Sequence, residues 1–209
     1  MKFKSIAGAV ALLAAGAVAH GASAATTLLF ENFDSEATTL NWGGNGNFAV
    51  GSPPGSVDLI GNGYFDLYPG HGNYVDLDGS TGNGNNPAGQ LISTQMFGPG
   101  SYTIEFLLGG NNRGAGARTT TFTLGDWSTS VGPLASNSGL AAYSFSFTTA
   151  TAGALTITQT GPSNQQGNVI DDIRVSAVPE PATWAMMIVG FGAAGAMVRS
   201  RRKLALAAA

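Results

Sequence analysis

Cysteine is absent from this 209-residue chain, and only two histidines occur in it. No disulfide can hold the fold together, so its stability must come from a hydrophobic core or from bound ions. Because cysteine is absent and histidine is rare, a zinc site would lack its usual ligands. His20 lies in a segment expected to be removed, so a Ser-His-Asp site would have to be built around His71 in "YPGHGNY". The ordinary interpretation of His71 is a loop histidine.

Basic residues are scarce in the body of the chain. Between residues 25 and 178 there are three arginines against eleven acidic residues, a net charge of about −8. Nucleic acids need a basic binding surface, so this balance disfavours them as partners. It favours cations or neutral ligands.

The first 24 residues have the layout of a secretory signal peptide. Lys2 and Lys4 precede an apolar run over residues 6–18, and the small residues Ala22, Ser23 and Ala24 follow. This pattern predicts export by the Sec machinery and cleavage by signal peptidase after Ala24. A short buried helix is the alternative.

The body, residues 25–177, shows strand patterns and no useful helical periodicity. Thirty-one glycines occur in the chain, and many stand beside Asn or Ser in clusters typical of turns. Between these clusters lie alternating segments such as "SYTIEFLL", "AYSFSFTT" and "NVIDDIRVS". One face of the first carries Tyr102, Ile104, Phe106 and Leu108. We predict about eight to ten strands in an all-β fold, an antiparallel β-sandwich of jelly-roll type.

Two other architectures compete with the sandwich, a flattened barrel and a β-helix. The sequence contains no fixed short repeat, which disfavours the β-helix. The glycine-rich stretch 79–89 contains no large apolar residue and is predicted to be a loop outside the core.

Acidic residues near both ends of the body suggest a calcium site. Strand alternation in "NVIDDIRVS" places Asp171 on one face with Val169, Ile173 and Val175, and a buried carboxylate needs a partner. If the first and last strands pair, Glu31 and Asp34 meet Asp171 or Asp172, and these four residues are the candidate ligands. Calcium takes six to eight oxygen ligands of this kind.

A second acidic pair, Asp76 and Asp78, lies in "YVDLDGSTGNGN". It lacks the distal glutamate of an EF-hand. The alternative for both acidic clusters is a solvated strand face with a capped turn. Trp42 and Trp127 lie near glycine-rich loops, where they could stack on sugars, although packing is the commoner role. The position of a ligand site stays open.

Catalysis has little support in the sequence. A glycosidase needs two carboxyl groups across a cleft, and the body contains only three glutamates, Glu31, Glu36 and Glu105. Nothing in their spacing points to a catalytic pair, so we expect no enzyme activity.

The C-terminal segment 178–203 ends in an apolar run followed by a basic cluster. Residues 182–198 would span about 25 Å as a helix, at the lower limit for crossing a bilayer. The cluster Arg199, Arg201, Arg202 and Lys203 should remain in the cytoplasm. The sequence therefore predicts a transmembrane helix, with residues 204–209 as a short tail.

This segment resembles the PEP-CTERM sorting signal of Gram-negative bacteria that make exopolysaccharide. The resemblance is carried by Pro179, Glu180 and Pro181, with Trp184 and Ala185 of the PEPxxWA subtype. It implies recognition by an exosortase, a membrane-embedded cysteine protease or transpeptidase, and cleavage at or near the triplet. The extended backbone that prolines favour is a form a protease can bind.

The body resembles PEP-CTERM ectodomains related to carbohydrate-binding-module and galactose-binding-like jelly rolls. The segments that carry this are "LFENFD", "GNYVDLDGS", "GSYTIEFLLGGNNR" and "GNVIDDIRVS". The resemblance implies a structural calcium between the first and last strands, which supports the set around Glu31 and Asp171.

Together these features predict an exported protein, first anchored in the inner membrane and then located at the cell surface or in the extracellular matrix. Association with exopolysaccharide or biofilm through a glycan-binding sandwich is the expected function. A purely structural or adhesive matrix component is the first alternative. A glycan-active hydrolase or lyase is the second.

Overall fold

A computed structural model of the chain describes residues 25–51, 55–80, 87–114, 116–178 and 188–199. Within these ranges lie twelve strands and one helix, α1, over residues 188–199. The strands are β1 (Thr26–Glu31), β2 (Thr39–Trp42), β3 (Phe48–Gly51), β4 (Val57–Gly61), β5 (Asn73–Asp76), β6 (Gln90–Phe97), β7 (Gly100–Gly109), β8 (Arg118–Leu124), β9 (Trp127–Leu134), β10 (Ala141–Thr149), β11 (Gly153–Thr160) and β12 (Val169–Ala177).

The strands form two antiparallel sheets. The first sheet has the order β10-β7-β12-β5-β4-β2, and β1 also pairs with β12. The second has the order β3-β6-β11-β8-β9. One buried hydrophobic cluster contains side chains from both sheets. The predicted all-β sandwich is therefore confirmed, with more strands than the eight to ten expected.

The apolar faces predicted for β7 and β10 are also present. Tyr102, Ile104, Phe106 and Leu108 are all buried in the core. The rings of Phe106 in β7 and Phe122 in β8 stack with centroids 4.1 Å apart, so they join the two sheets directly. Alternation of β-branched and aromatic residues thus builds the core as the pattern predicts.

A second, smaller core lies on the outer face of the first sheet. Ile60, Tyr74 and Val169 are buried there, and Leu67, Tyr68 and Leu140 pack against them. The loop between β4 and β5 supplies two of these covering residues. Both faces of β4 and β5 are consequently buried, and acidic residues on these strands are removed from bulk water.

The face predicted for Asp171 is wrong, because β12 contains a bulge. Its pairing with β7 changes register between Asp171 and Arg174, and Asp172 has a φ of +49°. The core side chains are Ile170, Ile173 and Val175, so strict alternation fails at the bulge. Asp171 is still buried, but it lies on the outer face with Val169.

The glycine-rich stretch enters and leaves the body at one place. The backbone N–H groups of Gly79 and Gly89 both donate to the carbonyl of Ser56, at 2.8 and 2.9 Å. Residues 81–86 lie outside the described part of the chain.

Helix α1 belongs to a different unit from the body. The predicted signal peptide, residues 1–24, lies outside the described residues, as do residues 179–187 and 200–209. Helix α1 covers residues 188–198 of the predicted apolar run together with Arg199, and all of its residues are exposed. Among the helices of the described ranges, none has the length and hydropathy needed to cross a membrane.

Candidate functional site

A cavity of about 310 Å³ opens on the outer face of the first sheet. Its floor consists of Asp58 and Ile60 from β4 and Asp76 from β5. These side chains point away from the sandwich core, because Val57, Leu59 and Val75 between them point into it. Strand alternation alone therefore directs two carboxylates and one apolar side chain into the cavity.

The walls of this cavity come from β2 and from three loops. Leu40 of β2 stands on one side, and Phe65 comes from the loop between β4 and β5. Ser80, Arg113 and Gln165 come from the loops after β5, β7 and β11. Loop residues on a rigid sheet are a common arrangement for binding sites. We call these residues and the floor the outer-face pocket.

Asp58 is held in place by three hydrogen bonds. One carboxylate oxygen accepts the backbone N–H groups of Asn41 at 2.7 Å and Ser80 at 3.0 Å. The other accepts the Ser80 hydroxyl at 2.6 Å. The side chain is only 4% exposed, and these donors offset much of the cost of burying its charge.

Asp76 lies opposite Asp58 and is even more deeply buried, at 1% exposure. Its Oδ1 accepts backbone N–H groups from Asp78 at 3.0 Å and Gly167 at 2.6 Å. Its Oδ2 forms an ion pair with Arg113. Burial raises the pKa of the Asp76 carboxyl to about 7, and the charge of Asp58 adds to the rise, while Arg113 and the N–H donors oppose it.

Arg113 is the cation of the outer-face pocket. Besides its ion pair with Asp76, it donates to the backbone carbonyl of Gln165 at 3.0 Å. Its Nε is buried and has no hydrogen-bond partner among the described residues. The pocket thus places one guanidinium against two carboxylates, and donor capacity remains on Arg113.

The loop that carries Gln165 is fixed by a second buried pair of charges. Asp78 accepts hydrogen bonds from the hydroxyl of Ser163 and from the backbone N–H groups of Asn164, Gln165 and Gln166. Arg118, which is 2% exposed, donates to the carbonyl oxygens of Pro162 and Gly116 and to the side chain of Asn164. These contacts make one wall of the pocket rigid.

Phe65 is an exposed aromatic residue that lines the pocket together with the carboxylates. Its ring is 53% exposed, and its backbone has a φ of +51°, a conformation that costs energy for a bulky residue. The neighbouring Tyr64 packs edge-on against it, with ring centroids 4.9 Å apart. Strained backbone at an exposed residue is often retained at binding sites.

Two tyrosines hold the Phe65 loop in this position. The Tyr74 hydroxyl accepts the N–H groups of Leu67 and Tyr68 and donates to Asp66 at 3.1 Å. The Tyr68 hydroxyl donates to the carbonyl of Ser138 at 2.9 Å. Burial raises the pKa of both tyrosines, that of Tyr74 to about 12. Both hydroxyls therefore stay protonated and keep these hydrogen bonds at neutral pH.

The outer-face pocket offers carboxylate acceptors, guanidinium donors and a flat apolar ring within one cavity. A polyhydroxylated ligand presents hydroxyl groups and apolar C–H faces, which these three kinds of group can contact. The excess of carboxylate over guanidinium disfavours anionic ligands.

The four residues predicted to bind calcium lie at the junction of β1 and β12, which do pair. Burial, together with the charges of Asp172, Asp34 and Glu31, raises the pKa of Asp171 to about 7. Asp171 accepts a hydrogen bond from the backbone N–H of Asp172 at 2.7 Å. The structure therefore brings these charges within electrostatic range of one another.

Two of these carboxylates also bind protein donors. Glu31 accepts the backbone N–H of Phe33 at 2.8 Å and the side-chain amides of Asn45 and Asn47 at 2.8 and 2.9 Å. Asp34 Oδ1 accepts the N–H of Asn73 at 2.9 Å.

An unpaired oxygen lies beside this group. Asn73 is 8% exposed, and its Oδ1 has no hydrogen-bond partner among the described residues. Across the same ranges, no three His, Cys, Asp or Glu side chains are arranged to hold a metal ion. A cation here would thus need amide or carbonyl oxygens besides the carboxylates.

The remaining sequence candidates have other roles. The carboxylates of Asp76 and Asp78 accept protein donors in the contacts described above, as a capped turn does. Trp42 is buried in the core, and Trp127 stacks on Phe147 with centroids 3.7 Å apart. His71 is exposed in its loop.

Sequence reasoning missed Asp58, Phe65 and Arg113 as pocket residues. One available signal was an aspartate within each of two apolar strands, "VDLIG" and "NYVD". The positive φ of Phe65 and the approach of three loops have no signature in the pattern of residue types.

Comparisons with known proteins place the C-terminal segment in a defined class. Residues 177–203 match the PEP-CTERM protein-sorting motif. The chain thus carries this motif, which indicates an exported protein processed by an exosortase. No curated protein matches the chain significantly.

Solved structures with a similar fold include several carbohydrate-binding modules. The CBM22-1 xylan-binding domain of Paenibacillus barcinonensis Xyn10C is 12% identical and covers 76% of this chain and 99% of its own, with a TM-score of 0.46. A cleaved adhesin domain of Lys-gingipain from Porphyromonas gingivalis is 11% identical and covers 73% and 99%, with a TM-score of 0.49.

A third similar structure contains the CBM22-1 and GH10 modules of Clostridium thermocellum endo-1,4-β-D-xylanase 10B, complexed with xylohexaose. It is 10% identical and covers 73% of this chain, with a TM-score of 0.47. The present chain spans 28% of that xylanase chain. At these identities the similarity concerns the fold alone.

Proposed function

We propose that this protein is an exported, exosortase-processed surface protein that binds a neutral glycan in the outer-face pocket. The observation that carries the proposal is the position of Phe65. Phe65, which is half-exposed and has a strained backbone, lines the same cavity as two buried carboxylates and a guanidinium. This combination suits stacking on one face of a sugar and hydrogen bonding to its hydroxyls.

The charge of the pocket and of the body supports a neutral ligand. One guanidinium faces two carboxylates, and the body has a net charge of about −8. Uronic acids and sulfated sugars would be repelled by both. A neutral exopolysaccharide of the cell surface or biofilm matrix fits this chemistry.

Binding is favoured over hydrolysis by the hydrogen bonds of the two carboxylates. Asp76 is bonded to two backbone N–H groups and to Arg113, and Asp58 is bonded to Ser80 and Asn41. A catalytic acid or base must exchange a proton with the substrate. The pKa of Asp76 is near neutrality, but both of its oxygens are engaged by protein donors, which favours fixed recognition over proton exchange with a substrate. The alternative is a structural matrix protein without a ligand, and failure of this protein to bind any glycan would support it.

Delivery of the protein depends on its two ends. We propose export through Sec, cleavage by signal peptidase after Ala24, and anchoring in the inner membrane by the C-terminal segment. Residues Pro179, Glu180, Pro181, Trp184 and Ala185 would be recognised by the exosortase. The cluster Arg199, Arg201, Arg202 and Lys203 would hold the end of the chain in the cytoplasm. Release would then leave the body at the surface or in the matrix.

We also propose a structural calcium ion at the junction of β1 and β12. The support is the buried Asp171 near three other carboxylates, together with the unpaired Oδ1 of Asn73. No three of the carboxylates Glu31, Asp34, Asp171 and Asp172 are arranged to hold an ion as they stand, so these side chains and the oxygen of Asn73 would have to move closer together around it. The ion would neutralise the repulsion among the carboxylates, and its role would be structural.

A panel of neutral, amino and acidic oligosaccharides tests the glycan proposal. The full chain in detergent is titrated with each, alongside Phe65→Asn, which removes the ring while asparagine tolerates the positive φ. Met96→Asn is the control, because Met96 is 65% exposed and does not line the pocket.

We expect a neutral sugar to bind wild type and Met96→Asn but to bind Phe65→Asn at least several-fold more weakly. Equal binding by all three would exclude the pocket. The absence of any binding would favour the structural alternative, and release of shorter sugars would indicate a hydrolase or lyase.

A further inference from the structure

Strand β10 is an unprotected edge of the first sheet. It pairs with β7 on one side, and no strand of the described residues pairs with its other side. A terminal strand carries a row of free backbone N–H and C=O groups that another strand can use. The nine residues Ala141–Thr149 include no proline, glycine or charged residue.

The other edges of the sandwich are blocked. Strands β2 and β3 have only four residues each, and the pairing of β2 is irregular. Strand β9 contains Pro133, which cannot donate a hydrogen bond. Strand β1 ends in Glu31, and the side chain of Asn47 donates to the carbonyl of Phe30. Short strands, proline, charge and irregularity are the usual protections of an edge.

The side chains of β10 are complementary to themselves. Tyr143, Phe145 and Phe147 face inward and are only partly buried, while Ser144 and Ser146 face outward and are exposed. Two copies related by a twofold axis at Phe145 would place aromatic residues opposite aromatic residues and Ser144 opposite Ser146. This resembles the existing pairing with β7, in which Ser146 bonds to Thr103.

We propose that two copies of this chain associate through antiparallel pairing of their β10 strands, which joins the first sheets of both bodies into one. A second copy of the chain is the partner we favour because β10 carries no charged residue. Two acidic bodies can therefore meet at this strand without placing like charges in contact. An association of this kind would place two outer-face pockets on one particle.

Cysteine cross-linking tests the pairing and its register, and the natural chain contributes no cysteine of its own. The full chain in detergent is oxidised mildly after Ser144→Cys and Ser146→Cys are introduced together. These positions would be opposite each other across the twofold, at a Cβ separation of about 5 Å. Ser128→Cys with Ser130→Cys, exposed on β9, is the matched control.

We expect at least tenfold more covalent dimer from the β10 pair than from the β9 pair. Without cysteines, Ser146→Glu adds negative charge where the two acidic bodies meet and should weaken association at least tenfold by light scattering, and Ser130→Glu should not. Ser130 is a close match, because its hydroxyl bonds to Thr121 as that of Ser146 bonds to Thr103. Higher salt should strengthen the wild-type dimer by screening its charge.

Equal cross-linking by the two cysteine pairs would overturn the proposal. So would a dimer unaffected by Ser146→Glu, since association would then occur through another surface. The proposal would also be overturned if the variant with both β10 cysteines has the circular dichroism spectrum of the native protein but forms no covalent dimer.

Discussion

Asp58 and Asp76 lie directly opposite each other in the β4–β5 ladder, and both side chains are buried. Like charges at facing positions of a sheet are destabilising. The structure compensates with backbone donors on Asp58 and with Arg113 on Asp76. Apolar residues at these two positions would remove the repulsion, but they would leave four backbone N–H groups without their acceptors.

The raised pKa of Asp76 makes stability depend on pH. Its ordinary value of 3.8 applies to the unfolded chain, and burial raises the folded value to about 7. Between these values the folded protein binds more protons, so the free energy of unfolding falls as the pH rises from about 4 to about 7. Asp76→Asn should remove this contribution. Urea unfolding at half-unit steps of pH measures it.

Asp126 is the control for this experiment, because it should respond in the opposite direction. The Thr149 hydroxyl, followed by the Ala150 N–H, lowers the pKa of the exposed Asp126. Its contribution is present at neutral pH and is lost as the pH falls through its folded value. Parallel stability curves for Asp76→Asn and wild type would refute the raised pKa.

Arg118 should be important for stability because its buried guanidinium satisfies three acceptors in the loops around residues 116 and 162–164. Arg118→Met leaves these oxygens unpaired and removes a positive charge near Asp78. We expect a loss of about 3–5 kcal/mol in the free energy of unfolding. Arg174→Met, which removes an arginine stacked on the exposed Phe30, should cost about 1 kcal/mol or less. Equal losses would contradict the buried network.

The sandwich could be predicted from the sequence because its core follows a two-residue period. The alternating aromatic residues of "SYTIEFLL" and "AYSFSFTT" are placed as expected. The period fails in "NVIDDIRVS", since a bulge at Asp172 shifts the second half by one residue. A bulge depends on the neighbouring strands, and residue types along one strand do not encode it.

The outer-face pocket could not be predicted, because it depends on long-range contacts. Asp76 and Arg113 are 37 positions apart in sequence but form an ion pair. The loop around Phe65 owes its position to Tyr68, which bonds to a carbonyl 70 positions away. Strand patterns locate faces, whereas a site built by several loops requires the topology.

Calcium should stabilise the body if it binds at the junction of β1 and β12. A ligand that binds only the folded state at one hundred times its Kd adds about 2.7 kcal/mol. We expect calcium to raise the melting temperature and chelator to reverse the rise. Asp171→Asn should abolish the response, whereas Asp126→Asn, in the turn between β8 and β9, should retain it. A melting temperature that chelator leaves unchanged would exclude the ion.

Gly72 should tolerate no side chain, because Asp34 occupies the space beside it. A Cβ there would lie 1.9 Å from Asp34 Oδ1, which accepts the N–H of Asn73. Gly63 has a similar positive φ, +84° against +70°, but its Cβ would meet no atom within 4 Å. Both alanine variants should lose about 1 kcal/mol from the left-handed backbone. Gly72→Ala should lose roughly 1–3 kcal/mol more, because displacing Asp34 leaves the Asn73 N–H unpaired. Urea unfolding of the two variants isolates this contact, and equal losses would show that Asp34 moves aside without cost.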